Sequence, residues 1–405
     1  MYFVKEVKND RCQVEEIEVT KNKVLIVTGD KYPEGDAGAI REQSFSKLFQ
    51  SCGLDPIVIG MGKSTLFSES VFDGVKYYSL RYENNMLFYR ILGRALFLHN
   101  LKKIIKKQDI SEIKGIMFVS GNKGTIRFLE KLAKNNQIEL YHDSVEWYSE
   151  SEFKNGAKNF AYQLNNDINT RIINEKYNVV AISTFLEKHF INRAKSVIRI
   201  PVILDVKNIS YEKSINPDVF NILYAGSIGG KDHISELIEA IALLSKEDQK
   251  RISFTVIGTT EEQAKAAGII SSTSNTIESV RFVGRVPRSE VLKYLARADF
   301  TFLLRPENER YARAGFPTKV VESLASGTPV MCNYSSDLGM YLSDDNSIRI
   351  ENCSRDACYK ALTNMLSISL KKRNEMMHNA RALAETHFDW RNYIKVFRCF
   401  VERSL

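Results

Sequence analysis

The stretch from Leu303 to Asn333, LLRPENERYARAGFPTKVVESLASGTPVMCN, decides the fold. Its apolar opening completes a strand that ends near Leu304. A polar loop carrying Arg305, Arg310 and Arg313 follows, and Gly315-Phe316-Pro317 turns the chain. Thr318 then reads as the N-cap of a short helix over Lys319 to Ser326. Gly327 stops that helix, and Pro329-Val330 begins the next strand. A strand, a loop, a helix and a second apolar strand in so short a span are the parts of a parallel βαβ unit.

The same alternation extends outward through nearly the whole chain. Towards the N-terminus, short apolar runs stand at Val24–Val27, Pro56–Ile59, Ile116–Val119, Ile138–Tyr141 and Val179–Ile182, with a helical stretch at Ile40–Ser51. Runs of four or five apolar residues suit strands buried on both faces of a parallel sheet. The pattern pauses at the polar segment Leu204–Pro217. It resumes with strands at Asn221–Ala225, Phe254–Ile257, Arg281–Val283, Phe300–Leu304 and Pro329–Cys332. Ile234, Leu237, Ile238, Ile241 and Leu244 share one helical face. The expected fold is therefore α/β, with two Rossmann-like doubly wound domains facing a cleft. Their limits are 1–205 and 206–385, and a last helical segment, 386–405, follows. Ligands of such sheets bind beyond the carboxyl ends of the strands.

Composition narrows the function classes. The chain has 405 residues, 44% hydrophobic and 26% charged, which suits a soluble protein of two or three domains. A net charge of +8 favours anionic partners in general. The basic residues are dispersed and no recognition motif appears, which argues against a nucleic-acid role. The six cysteines form no C-x-x-C pair and read as reduced thiols. No H-E-x-x-H or D-x-D motif is present, so no metal site is indicated. The opening MYFVKEVKND is polar and no apolar run reaches about 20 residues, so neither a secretory signal nor a membrane span is expected. The expected location is cytoplasmic.

Several residues carry candidate chemistry. The start of the helix after Pro317 is an anion site, because its free N–H groups and dipole point at a ligand. Glu322, one turn in, either accepts two ribose hydroxyls or is an ordinary surface glutamate. Gly35 and Gly38 precede a helix, as either a plain turn or a loop that lets a ligand approach the backbone. Arg41, in that helix, either reaches a phosphate or is solvated. Tyr141 to Tyr148, YHDSVEWY, follows a strand. It reads as an acceptor site with His142 and Asp143 foremost, or as a satisfied polar cluster. Phe88 to Lys107 holds six basic residues and no acid among apolar residues at helical spacing. That suits a helix on an anionic membrane surface, or a core helix with a solvated lysine face.

The run Gly315 to Val330, G-F-P-T-K-V-V-E-S-L-A-S-G-T-P-V, resembles the donor-binding segment of family 4 glycosyltransferases, which are retaining and have the GT-B fold. Ile222–Gly226 with Gly230-Lys231, Val256–Gly258, and Phe282–Val286 with Ala298-Asp299 resemble further parts of that family's C-terminal domain. Phe388-Asp389-Trp390 resembles the lead into its final helix, which returns to the N-terminal domain.

The resemblance implies that Glu322 holds the donor ribose and Lys231 contacts the diphosphate. It places Thr318 and Lys319 near phosphates or sugar, and Gly284 and Arg285 near the base. Gly38, Ser227, Gly315, Phe316 and Pro317 complete the implied donor site, and Lys231 joins His142 and Asp143 of the strand-end cluster as the expected catalytic set. The implied activity is metal-independent, retaining transfer from a nucleotide-diphosphate sugar to a glycan or lipid-linked acceptor, in the manner of cell-envelope polysaccharide synthesis. Two departures stand out. Ala314 occupies the position of the family's first glutamate, and Ser227 that of an arginine. Arg305, Arg310 or Arg313 is expected to replace the missing charge. The alternatives are a degenerate homologue that binds a glycan or partner, and a nucleotide-sugar epimerase or hydrolase.

Overall fold

A computed structural model describes residues 22–33, 37–62, 67–81, 87–226, 231–270 and 277–404, with the side chains of 81 and 87–94 excepted. Ser227, Gly230, Gly35 and Asp36 lie outside the described residues.

The N-terminal sheet is built from β1 (Lys23–Lys31), β2 (Asp55–Gly62), β3 (Ser70–Phe72), β4 (Val75–Arg81), β5 (Ile113–Phe118), β6 (Glu139–Ser144), β7 (Tyr177–Ala181) and β8 (Ser196–Arg199). Their order is β3-β4-β2-β1-β5-β6-β7-β8, parallel except for the β3–β4 hairpin. The C-terminal sheet holds β9 (Phe220–Ala225), β10 (Ile252–Ile257), β11 (Val280–Gly284), β12 (Phe300–Leu303), β13 (Val330–Cys332) and β14 (Ser347–Arg349). Its order, β11-β10-β9-β12-β13-β14, reverses direction between β9 and β12. That reversal opens a crevice where a ligand can enter. The N-terminal sheet has the equivalent switch between β1 and β5.

The apolar runs are strands because both faces are covered. Val24 to Val27 and Ile57 to Ile59 are all at most 1% exposed. Strands β3, β4, β8 and β14 were not among the expected ones. β3, β8 and β14 are short edge strands and β4 lies next to the edge, and none of the four has a continuous apolar run.

The final helix, Ile394–Ser404, returns to the N-terminal domain. Phe397 packs 5.0 Å from Phe49 and 5.7 Å from Phe45 between ring centroids, and the Ser404 hydroxyl meets that of Tyr141 at 2.5 Å. The two chain crossings lie side by side. The Leu204 amide donates to Phe388 O at 3.0 Å, and the Trp390 amide donates to Leu204 O at 3.2 Å. Arg391 spans both through Asp205 and Asp389.

The polar segment after Leu204 is fastened to the C-terminal domain. Lys213 donates to Leu295 O and Ala298 O, and Arg373 donates to Asn216 O and Pro217 O. No described helix is long and apolar enough to cross a membrane.

Candidate active site

The helix Thr318–Ala325 begins beside the β9–β12 crevice. Its N-cap is Pro317, with no side-chain cap, so Thr318 is the first helical residue and not the cap. The chain enters through the extended Pro317, and a proline cannot supply a capping oxygen. The first amides of the helix are thus left without a side-chain cap. Gly327, at φ +67°, follows the last turn as expected. Gly315, Phe316 and Pro317 are buried supports. The Phe316 ring meets Tyr341 edge-on and Phe388 at a tilt, both at 5.8 Å, inside the core shared by the two domains.

Lys319 points back under the end of β9. Its Nζ lies 4.4 Å over the Tyr224 ring and donates to the Tyr224 hydroxyl at 3.0 Å and to Asp232 Oδ2. Arg305 Nε donates to Asp232 Oδ1 at 2.8 Å, and the Tyr224 hydroxyl to Asp232 Oδ2 at 2.8 Å. Burial alone would raise the Asp232 carboxyl, but the Lys319 and Arg305 charges outweigh it and hold it well below the usual carboxylate range. The cluster keeps one net positive charge. Gly226 leaves room for this lysine, since a Cβ on it would sit 2.3 Å from Lys319 Nζ and displace it. Of the three arginines expected to replace the missing charge, Arg305 is the one in this cluster. Arg310 donates to Tyr148 O and stacks 4.8 Å over Trp147, and Arg313 stacks 4.7 Å over Phe185.

Glu322 lies one turn further on, with Oε1 2.5 Å from Arg288 Nη1. It borders a small cavity with Ala225, Thr301 and Lys319. At the ends of β10 and β11, Gly258 N donates to Gly284 O at 2.7 Å and Gly284 N to Thr259 O at 2.8 Å. Gly284 adopts φ +77° and Arg285 is exposed.

Across the cleft, Gly38 closes on the end of β1. A Cβ on it would lie 2.8 Å from Asp30 Oδ2. His142 and Asp143 do not present themselves to the cleft. Arg41 grips both Asp143 oxygens at 2.7 and 2.8 Å, and also donates to Pro201 O and Ile200 O. All three side chains are buried. Arg41 therefore neither reaches a phosphate nor is solvated, and Asp143 is no open acceptor-site carboxylate. A buried charge pair this well satisfied is a structural tie. His142 meets Phe118 O through Nδ1 at 3.0 Å and stacks on the Phe118 ring, and burial pushes its pKa down to about 4.

The same segment does reach the cleft, through other residues. Lys231 Nζ lies 2.5 Å from Glu152 and 3.6 Å from Glu146, and 5.3 Å over the Tyr148 ring. The nearby carboxylate raises the Tyr148 phenol above its ordinary range. Sequence reading missed Asp30, Glu152, Tyr224, Asp232 and Arg288 as site residues, and within Tyr141–Tyr148 it favoured His142 and Asp143 over Glu146. Asp232 offered one signal, its place directly after Lys231.

Residues 205–383 match the family described as glycosyl transferases group 1. That match covers most of the C-terminal half of the chain. The described residues together have the GT-B fold. Sucrose-phosphate synthase from Thermosynechococcus elongatus superposes with a TM-score of 0.74 at 13% identity, covering 94% of this chain and 98% of that one. HepE of Anabaena, solved in complex with UDP and glucose, gives 0.66 at 15% identity over 95% and 100%. An E. coli trehalose-6-phosphate protein bound with UDP-2-fluoro glucose gives 0.65 at 12% over 94% and 99%. No curated protein matches the chain in sequence.

Within the matched residues, Ala314 is fully buried and its carbonyl accepts the Ser183 hydroxyl at 2.6 Å. A glutamate side chain there would start from within the apolar core. Glu309 instead accepts from Ser151 at 2.8 Å, and Glu307 from Asn333 at 3.2 Å.

Proposed function

We propose that the protein is a retaining glycosyltransferase that moves a sugar from a nucleotide-diphosphate donor to a glycan or lipid-linked acceptor, without a metal. One observation carries this reading. An uncapped helix start, Lys319, Arg305 and Lys231 converge at the β9–β12 switch point, with Glu322 one turn further along. Charge building on a leaving diphosphate needs preorganised cations and N–H donors, and this cluster supplies both.

Glu322 accepts the ribose hydroxyls and leaves its Arg288 partner to do so. Thr318 lies at the phosphates, and Gly284 and Arg285 border the base. On the acceptor side, Glu146 and Tyr148 face the cleft while His142 and Asp143 hold their strand in place from behind. The UDP in the titles of HepE and of the E. coli protein supports a uridine nucleotide as the first donor to try.

We place the enzyme in the cytoplasm, in cell-envelope polysaccharide synthesis, peripheral on the inner membrane face. Lys102, Lys103, Lys106 and Lys107, all exposed on or just after the helix Leu87–Ile105, provide the cationic contact.

The test is thermal stabilisation by UDP, GDP, ADP and their sugars, without metal. A ligand at 100 times its Kd adds about 2.7 kcal/mol to the stability of the folded state. One nucleotide is expected to raise Tm clearly in the wild type, and Glu322→Ala to abolish the rise. Absence of any shift at millimolar nucleotide would overturn the reading.

A further inference from the structure

Lys231 belongs to the C-terminal domain, yet its recorded ion-pair partners come from the N-terminal domain. Its ammonium lies between Glu152 Oε1 at 2.5 Å and Glu146 Oε1 at 3.6 Å, under the rings of Tyr148 and Tyr311 at 5.3 and 5.4 Å. The Glu152 side chain is only 4% exposed, and its second oxygen accepts the Ser149 amide at 2.7 Å. A carboxylate so buried needs a counter-charge, and Lys231 supplies it. A diphosphate arriving at Lys231 meets two carboxylates within a few ångströms of its own cation, and like charges so close disfavour each other. Diphosphate and Glu152 therefore compete for this ammonium.

We propose that Glu152 is a positioning residue that holds Lys231 in the donor-free protein and competes with the donor's diphosphate for it, so that donor binding releases the Glu146–Glu152 segment from the C-terminal domain. The inference rests on Lys231 as a diphosphate ligand. The segment is well placed to transmit the release. Its Ser149 hydroxyl accepts the Tyr311 amide at 3.2 Å, its Tyr148 carbonyl accepts Arg310, and its Ser151 hydroxyl donates to Glu309. All three partners lie on or beside the helix Arg310–Ala314.

The experiment titrates UDP, ADP and GDP into the full chain as wild type, Glu152→Gln, Lys231→Met and the double variant. Glutamine keeps the shape of Glu152 and the bond to Ser149. Glu152→Gln is expected to bind the preferred diphosphate about fivefold more tightly, the scale of a partly screened ion pair. Lys231→Met is expected to bind it more weakly. In the Lys231→Met background, Glu152→Gln changes nothing. Amide exchange across residues 146–152 rises when the wild type is saturated. Unchanged or weaker binding by Glu152→Gln, an equal gain in the Lys231→Met background, or no rise in exchange overturns the competition. If Lys231→Met binds as the wild type does, the ligand role of Lys231 falls and the inference falls with it.

Discussion

His142 shows how burial changes what a side chain can do. Its ring is enclosed by Phe118 and Phe190, and its pKa falls from 6.5 to about 4 because the charged form is poorly solvated there. The sign of the consequence follows. Below pH 6.5 the unfolded chain binds a proton that the folded chain refuses until about pH 4. Stability therefore declines as pH falls through that window, by about 2 kcal/mol between pH 7 and pH 5 from this residue alone. His142→Asn keeps a donor for Phe118 O and removes the titration. Urea unfolding at the two pH values is expected to show a smaller decline in the variant by about that amount. An identical decline in both proteins would show that other groups set the slope.

The helix Thr318–Ala325 is the element on which the donor reading turns, and its ending is as informative as its start. Gly327 holds φ +67°, and a Cβ there would sit 2.1 Å from Tyr211. The glycine thus ends the helix and seats the interdomain segment, since the Tyr211 hydroxyl is itself held at 2.7 Å by His378. Gly327→Ala combines left-handed strain with a ring displacement. It is expected to cost about 2–4 kcal/mol, read as a lower denaturant midpoint with unchanged slope. Most of this element was legible in sequence, because Pro before a helix and Gly after it have direct conformational causes. Its cap was not. Thr318 has the right chemistry for an N-cap but stands one position too late, a shift that backbone geometry alone decides.

At the scale of the whole molecule, the helix Arg310–Ala314 joins the domains. Arg310 donates to Tyr148 O and Tyr162 Oη and stacks on Trp147, while the Ala314 carbonyl takes the Ser183 hydroxyl. Arg310→Ala is expected to weaken this contact by about 2 kcal/mol. The check is a larger radius of gyration in small-angle scattering, with circular dichroism unchanged. An unaltered scattering curve would place the closure in other contacts, such as Asp337 with Thr184 and Arg199.

The sequence by itself determined the two parallel α/β domains and the strand–loop–helix segment at Leu303–Asn333, while Lys231, Lys319 and Glu322 were singled out through the family resemblance. Buried strands write themselves as continuous apolar runs, and helix ends as Pro and Gly, so periodicity and local chemistry suffice. Only the tertiary structure decided which charges are free. Arg41 and Asp143 looked like site residues until each proved to be the other's buried partner. Arg305 could not be told from Arg310 or Arg313 until Asp232 was seen beneath it. Glu152 showed nothing in sequence, because its meaning lies in a lysine 79 positions away that only the closure of two domains brings within 2.5 Å. Local pattern depends on near neighbours in the chain, whereas the pairing of charges depends on how distant parts of it meet.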